Sequence, residues 1–378
     1  MPKNGWNVAC LLSLSDCIGR LFDNDPKMIV VPFYNHIGGD SIASAIILVM
    51  FLVTGGTGFI GRALLRHMFD AGHPLRVLIR SSPRTPKLPT GVPLEVAVAS
   101  LSDPRGLRAA LSGEDFNIHL ASAEGHGPRG DLLKTDVEGT RNLAEAAADA
   151  GVKRFVYVSH LGADRMSAFA ALKAKGIAEE HLRRSGVPHT ILRSSVVFGP
   201  EDRFTVPLAR LLRFAPGLFP LPSGGSAVIQ PLWIEDLVTC ILWAFEKPEM
   251  ENQTYEIGGS EYFPLRQAAE TIMEVSQRRR LIVSFSKPAM NALIVALDAM
   301  FPNFPFSSYS LDYFSLNRTC PVDNLTRSFG LMPARFTYRL DYLRRVPWTQ
   351  RISRWTNVQT KRLAERLRER FPTLRPPQ

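Results

Sequence analysis

The sequence is poor in cysteine and has no long apolar run. Four of its 378 residues are cysteine (Cys10, Cys17, Cys240 and Cys320). They form no CxxC pair and lie near no histidine cluster, which argues against a disulfide framework and against a bound metal. A reducing, cytoplasmic setting is the expectation. No apolar stretch reaches the roughly 18 residues of a spanning helix, and the longest, Ala45 to Val53, runs into glycines. The first 49 residues lack the basic start, apolar middle and small-residue cleavage site of a signal peptide. Asp16, Asp23, Asp25 and Asp40 also set them apart from an acid-poor transit peptide. Acidic residues are scarce at the other end. From Arg344 onward ten basic residues face only Glu365 and Glu369, so +8 of the net charge of +10 sits in the tail. The basic pI therefore says little about the folded body.

At 45% hydrophobic and 21% charged, the composition is that of a globular chain. The most informative stretch is Val53-Thr54-Gly55-Gly56-Thr57-Gly58-Phe59-Ile60-Gly61. It follows an apolar run, Ile46 to Leu52, that reads as a buried parallel strand. It precedes Arg62 to Phe69, which has helical periodicity. Strand, glycine turn and helix in this order make a dinucleotide site. Gly55 permits the tight turn, Gly58 leaves room for a pyrophosphate, and Gly61 lets the helix pack closely on the strand. The helix start offers backbone N–H groups and a positive dipole end to the phosphates.

Further strands are expected at Leu75–Ile79, Leu94–Ala99, Phe116–Leu120, Arg154–Ser159 and His189–Arg193. Helices are expected over Pro104–Ser112, Asp131–Ala150 and Ser167–Ser185. This alternation predicts an α/β fold, a Rossmann-type doubly wound parallel sheet. Beyond Pro200 the pattern loosens into helical stretches at 204–214, 234–246, 265–276 and 288–300. Pro/Gly-rich turns separate them, and another strand is expected near 254–257. The division expected is an extension over 1–49, a cofactor-binding domain over 50–200, a small α/β lobe over 201–345 interleaved with it, and a tail over 346–378. The extension is either an over-long start, with Met50 the true first residue, or a genuine segment. At the end of the second strand, where a carboxylate would bond the ribose 2′-hydroxyl of NAD, the chain has Arg80, with Arg84 beyond. That favours the 2′-phosphate of NADP, with NAD as the other cofactor considered.

The order of motifs resembles the extended or atypical short-chain dehydrogenase/reductase superfamily. The stretches that carry it are Thr54–Gly61, Ile118-His119-Leu120-Ala121, Asp136–Leu143, Val156-Tyr157-Val158-Ser159 and Arg193 through Pro200. Gln230–Leu237, Asn317-Arg318-Thr319 and Phe329–Pro333 further resemble the branch of the NAD(P)H-binding accessory subunit of respiratory complex I. The resemblance implies that Gly55, Thr57, Gly58, Phe59, Ile60, Gly61, Arg80, Ser100, Leu120, Ala121 and Lys175 contact the cofactor. It also implies catalysis by a Tyr-xxx-Lys pair with a serine, the lysine lowering the tyrosine pKa and the serine orienting the substrate oxygen. Ser159 and Lys175 match that pattern, but Ala171 stands at the tyrosine position. His160 is a further proton donor to consider, and Ser100 replaces an adenine-binding aspartate. His119, on a buried strand, is expected to be structural. Two functions remain open. One is a cofactor-binding structural or regulatory protein linked to quinone or electron-transfer metabolism. The other is an NADPH-dependent reductase or nucleotide-sugar epimerase-like enzyme acting on a small molecule or quinone with a different proton donor.

The tail carries Trp348, Ile352, Trp355, Leu363, Leu367 and Phe371 among arginines. Two readings stand: a basic amphipathic helix giving peripheral contact with a membrane's inner face or a respiratory complex, and a solvated tail. No recognition motif accompanies the charge, so nucleic acid is not an expected partner.

Overall fold

The computed structural model describes residues 50–344 apart from 83–84, 215–216 and 301–307. The extension 1–49, Arg84 and the tail 346–378 lie outside the described residues. All four residues of β1 (Phe51–Thr54) are buried. A strand covered on both faces needs no polar alternation, which is why it reads as an unbroken apolar run. Phe51 and Val53 enter the core on one side of the sheet and Leu52 the core on the other. The remaining strands of this sheet are β2 (Leu75–Ile79), β3 (Glu95–Val98), β4 (Phe116–His119), β5 (Arg154–His160), β6 (His189–Ser194) and β11 (Gln253–Ile257). They lie in the order β11-β6-β5-β4-β1-β2-β3, all parallel. The order reverses between β1 and β4, and ligands of such sheets bind beyond the strand ends at that reversal.

One face of the sheet is covered by α1 (Phe59–Asp70) and α6 (Ile234–Glu246), the other by α2 (Pro104–Leu111), α3 (Gly139–Asp149) and α4 (Ala170–Arg184). The helix expected from Asp131 starts instead with a turn of π-helix over Leu133–Glu138, continuous with α3. Thr140 Oγ1 donates to the Asp136 carbonyl at 2.6 Å within this turn. Such widened turns tend to accompany functional sites, and this one aims Asp136 into the fold.

Beyond β6 the structure is richer in strands than the sequence pattern suggested. β7 (Val197–Phe198) pairs with β10 (Leu232–Trp233), β9 (Val228–Ile229) with β12 (Phe263–Pro264), and β8 (Leu218–Pro222) with β13 (Leu281–Phe285). Pieces of two to five residues, one of them with two prolines, carry too little alternation to be recognised. With α5 (Thr205–Phe214) and α7 (Leu265–Val275) several of them enclose a separate core around Phe198, Phe204 and Phe336. α8 (Lys287–Met300), α9 (Ser308–Tyr313) and α10 (Asn324–Phe329) follow. Among the described residues, no helix is long and apolar enough to cross a membrane.

Candidate functional site

The glycine turn after β1 is built against the end of β4. Gly55 has φ +76°, and a Cβ there would lie 2.6 Å from the Ala121 nitrogen and the Leu120 carbonyl carbon. Only glycine fits both the conformation and the gap. Leu120 donates its N–H to the Thr54 carbonyl at 3.1 Å, which fixes Leu120 and Ala121 beside the turn. A Cβ on Gly61 would stand 2.4 Å from the Gly55 oxygen and 2.6 Å from the Gly56 Cα. The close approach that Gly61 serves is therefore between helix and turn, not between helix and strand. Gly58 precedes α1 without a side-chain cap, and no acidic residue occupies the first turn. Thr57 is exposed, and Phe59 and Ile60 are half-buried. The uncapped helix end and the glycine-rich turn fit a pyrophosphate.

Arg80 follows β2 and Ser100 follows β3, so both stand exposed on the edge that carries the glycine turn. Ser100 Oγ accepts the Ser102 N–H at 3.2 Å and keeps its own proton for a ligand. Arg62, on α1, donates to the Thr57 carbonyl and to the Glu201 carboxylate, the latter at 2.7 and 3.1 Å. It ties the turn to the segment after β7.

The residues at and after β5 differ from the expectation. Ser159 is fully buried, and its hydroxyl donates to Glu179 Oε1 at 2.6 Å. Arg193 holds Glu179 with both Nε and Nη2, and Arg183 adds a further bond. Alternation along β5 points Ser159 into this charged network, so it is not placed to orient a substrate oxygen. Lys175 is also buried, its Nζ 3.3 Å from Asp136 Oδ1 and 4.9 Å above the Tyr157 ring. Burial alone would lower its pKa. Tyr157, Asp136 and Glu124 outweigh that and hold it above the ordinary lysine range. Burial pushes the Tyr157 phenol up to about 12 despite the lysine. Asp136 Oδ2 in turn accepts the Ala123 N–H at 2.9 Å.

Beneath the lysine lies His119, with Nδ1 2.6 Å from Thr54 Oγ1 and Nε2 2.9 Å from Thr140 Oγ1. Thr140 spends its proton on the Asp136 carbonyl, so it accepts from Nε2–H, and Thr54 donates to Nδ1. This assigns a neutral ring. Burial and, next, Lys175 lower its pKa to about 3.

His160, one residue past Ser159, bonds through Nε2 to Glu124 Oε2 at 2.7 Å. Burial alone would raise the Glu124 pKa, but His160, Arg318 and Lys175 bring it down to about 2. Glu124 rims a narrow cleft with a cavity volume of about 10 Å3, room for about one water. Phe169, Ala171, Leu172, Tyr309, Asp312 and Arg318 line it as well. The position that would carry the catalytic tyrosine thus opens on this cleft. Tyr309 packs on the same small cluster as Ala171. Sequence reasoning missed Glu124 and Tyr309, which stand outside any motif and reach the cleft only through the fold.

A family model described as NAD(P)H-binding matches residues 55–203. Over 287 residues the chain is 28% identical to subunit 9 of the NADH dehydrogenase [ubiquinone] 1 alpha subcomplex from Arabidopsis thaliana, covering 74% of this chain and 70% of that protein. The chain carries an NAD(P)-binding Rossmann-like domain and is homologous to that complex I subunit. The mouse protein of the same description is also 28% identical, over 64% of each chain. About a third of each relative therefore lies outside the match. Among solved structures, the NADPH-dependent quinone oxidoreductase QOR2 of Escherichia coli, in complex with NADPH, has a TM-score of 0.62 at 20% identity. It covers 78% of this Rossmann protein and 99% of the bacterial one, and shows a shared fold.

Proposed function

We propose that this Rossmann protein holds NADP(H) as a structural or regulatory element of quinone-linked electron transfer, and does not turn it over by tyrosine-dependent chemistry. The observation that carries the reading is the disengagement of the whole proton-transfer set. Ala171 has no proton to give, Ser159 is committed to Glu179, and Lys175 is drawn down between Asp136 and Tyr157. When bound, the cofactor would supply a hydride. The chain's residues cradle its pyrophosphate at Gly55–Gly61 and present Arg80 to a 2′-phosphate. The similarity to a complex I subunit supports the link to electron transfer.

A second reading, an NADPH-dependent oxidoreductase with another proton donor, is supported by the cleft beside Ala171. Glu124, paired with His160, rims that cleft, and Tyr309 lines it. One experiment separates the two. Titration with NADPH and NADH should show tighter binding of NADPH, and Arg80→Asp should narrow or reverse the preference. Turnover with carbonyl, quinone and nucleotide-sugar substrates should stay far below the ordinary enzyme median of roughly 10 per second, since a positioned general acid is worth about 10²–10⁴-fold. Ordinary turnover that collapses in Tyr309→Phe or His160→Asn would establish the second reading. Tighter binding of NADH would overturn the cofactor assignment.

A further inference from the structure

The small lobe presents an apolar, arginine-flanked surface that the cofactor site does not use. Leu218 and Leu281 are register partners at the start of the β8–β13 pair and are 52% and 66% exposed. Leu281 donates its N–H to the Gly217 carbonyl at 2.9 Å, so Arg279 and Arg280 lie directly before this leucine pair. After β13 the chain turns at Ser286 into α8, which packs on β8. α8 buries Met290 and Ile294 against Leu311. Its outer face carries Ala292, Val295, Ala296, Ala299 and Met300, all exposed. Among the described exposed side chains of α8, Lys287 at its first position is the only charged one. Val295 and Met300 are 56% and 70% exposed.

Four large exposed apolar side chains and an arginine run therefore belong to elements packed around β8. An apolar helix face left in water calls for a cover. The arginines say which kind: side chains that insert at headgroup level beside cations that meet anionic lipid. The acidic groups nearest in the chain are Glu274, four residues before Arg278, and Asp298, within α8. We infer that this part of the lobe around β8, with Leu218, Leu281 and the outer face of α8 beside Arg278–Arg280, docks on an anionic bilayer surface. It does so independently of the C-terminal tail.

The test is flotation of the full chain with vesicles of phosphatidylcholine alone and of phosphatidylcholine with phosphatidylglycerol. It compares wild type with Leu218→Gln/Leu281→Gln, with Arg279→Glu/Arg280→Glu, and with a tail variant, Arg362→Gln/Arg366→Gln/Arg370→Gln. Unchanged NADPH affinity and melting would show that the variants are folded. The expected result is salt-sensitive binding to the anionic vesicles only. Each lobe variant should lose at least about tenfold in binding, and the tail variant should retain most of it. Loss in the tail variant alone, or binding indifferent to vesicle charge, would overturn the proposal. So would a wild-type dimer that the leucine substitutions dissociate without any vesicle binding, since a second copy would then be what covers the patch.

Discussion

His119 stands at the centre of the buried strand ends, and its proton inventory is fixed by neighbours. Thr140 commits its hydroxyl to the Asp136 carbonyl, so the imidazole keeps a proton on Nε2 and accepts on Nδ1. Charging it would break the bond from Thr54 and place a second cation below Lys175. The folded pKa is about 3 against 6.5 for the free residue. Between these values the unfolded chain binds a proton here that the folded chain does not. The stability due to the neutral ring is complete above pH 6.5 and falls as pH drops through the window, by up to about 1.4 kcal/mol per pH unit. His119→Gln should therefore cost more at pH 7.5 than at pH 5, the gap to wild type narrowing by about 2 kcal/mol over that range. Urea unfolding at both pH values measures it, and a gap independent of pH would mean that the ring is not held neutral.

At the scale of elements, α1 and the glycine turn are one unit. A methyl group on Gly61 would press on the Gly55 oxygen and the Gly56 Cα, both backbone atoms that cannot swing aside. Gly61→Ala should move the helix start and weaken NADPH binding by more than tenfold, with a smaller loss of stability. Fluorescence titration of NADPH checks this, and wild-type affinity would show that the turn is not the phosphate cradle. The same turn marks where the sequence was legible. β1 to β6 and their helices stand out because burial writes apolar runs into every strand except the exposed edge strand β3, helical periods mark the helices, and Gly55 answers to a φ that other residues resist. The facing of β5 was harder to read. Ser159 sits where a motif wants a serine, yet its hydroxyl is spent on Glu179, which lies 20 residues on and is held by Arg193 of the next strand. Which side of a strand meets a charge network is a property of the assembled sheet. The cleft at Ala171 was equally hidden, because Tyr309 reaches it from a helix 138 residues away in sequence.

At the scale of the whole molecule the two halves are laced together. β11 comes from beyond the first strands of the small lobe, yet it closes the main sheet beside β6 over five residue pairs. Gln230, fully buried, donates from Nε2 to the Gly259 carbonyl at 2.8 Å and accepts the Cys320 N–H at 2.9 Å, so it joins three distant segments. Arg62 and Glu201 add a link from α1 to the segment after β7. Such a chain should unfold in one transition, and a ligand of the Rossmann half should stabilise the lobe as well. NADPH at about 100 times its Kd should add about 2.7 kcal/mol to a single melting transition reported alike by far-ultraviolet circular dichroism and tryptophan fluorescence. Gln230→Ala leaves two buried backbone groups without partners, at about 1–3 kcal/mol each, and should lower that same transition without splitting it. Two transitions, of which only one moves with NADPH, would show instead that the halves unfold separately and that Gln230 braces the lobe alone.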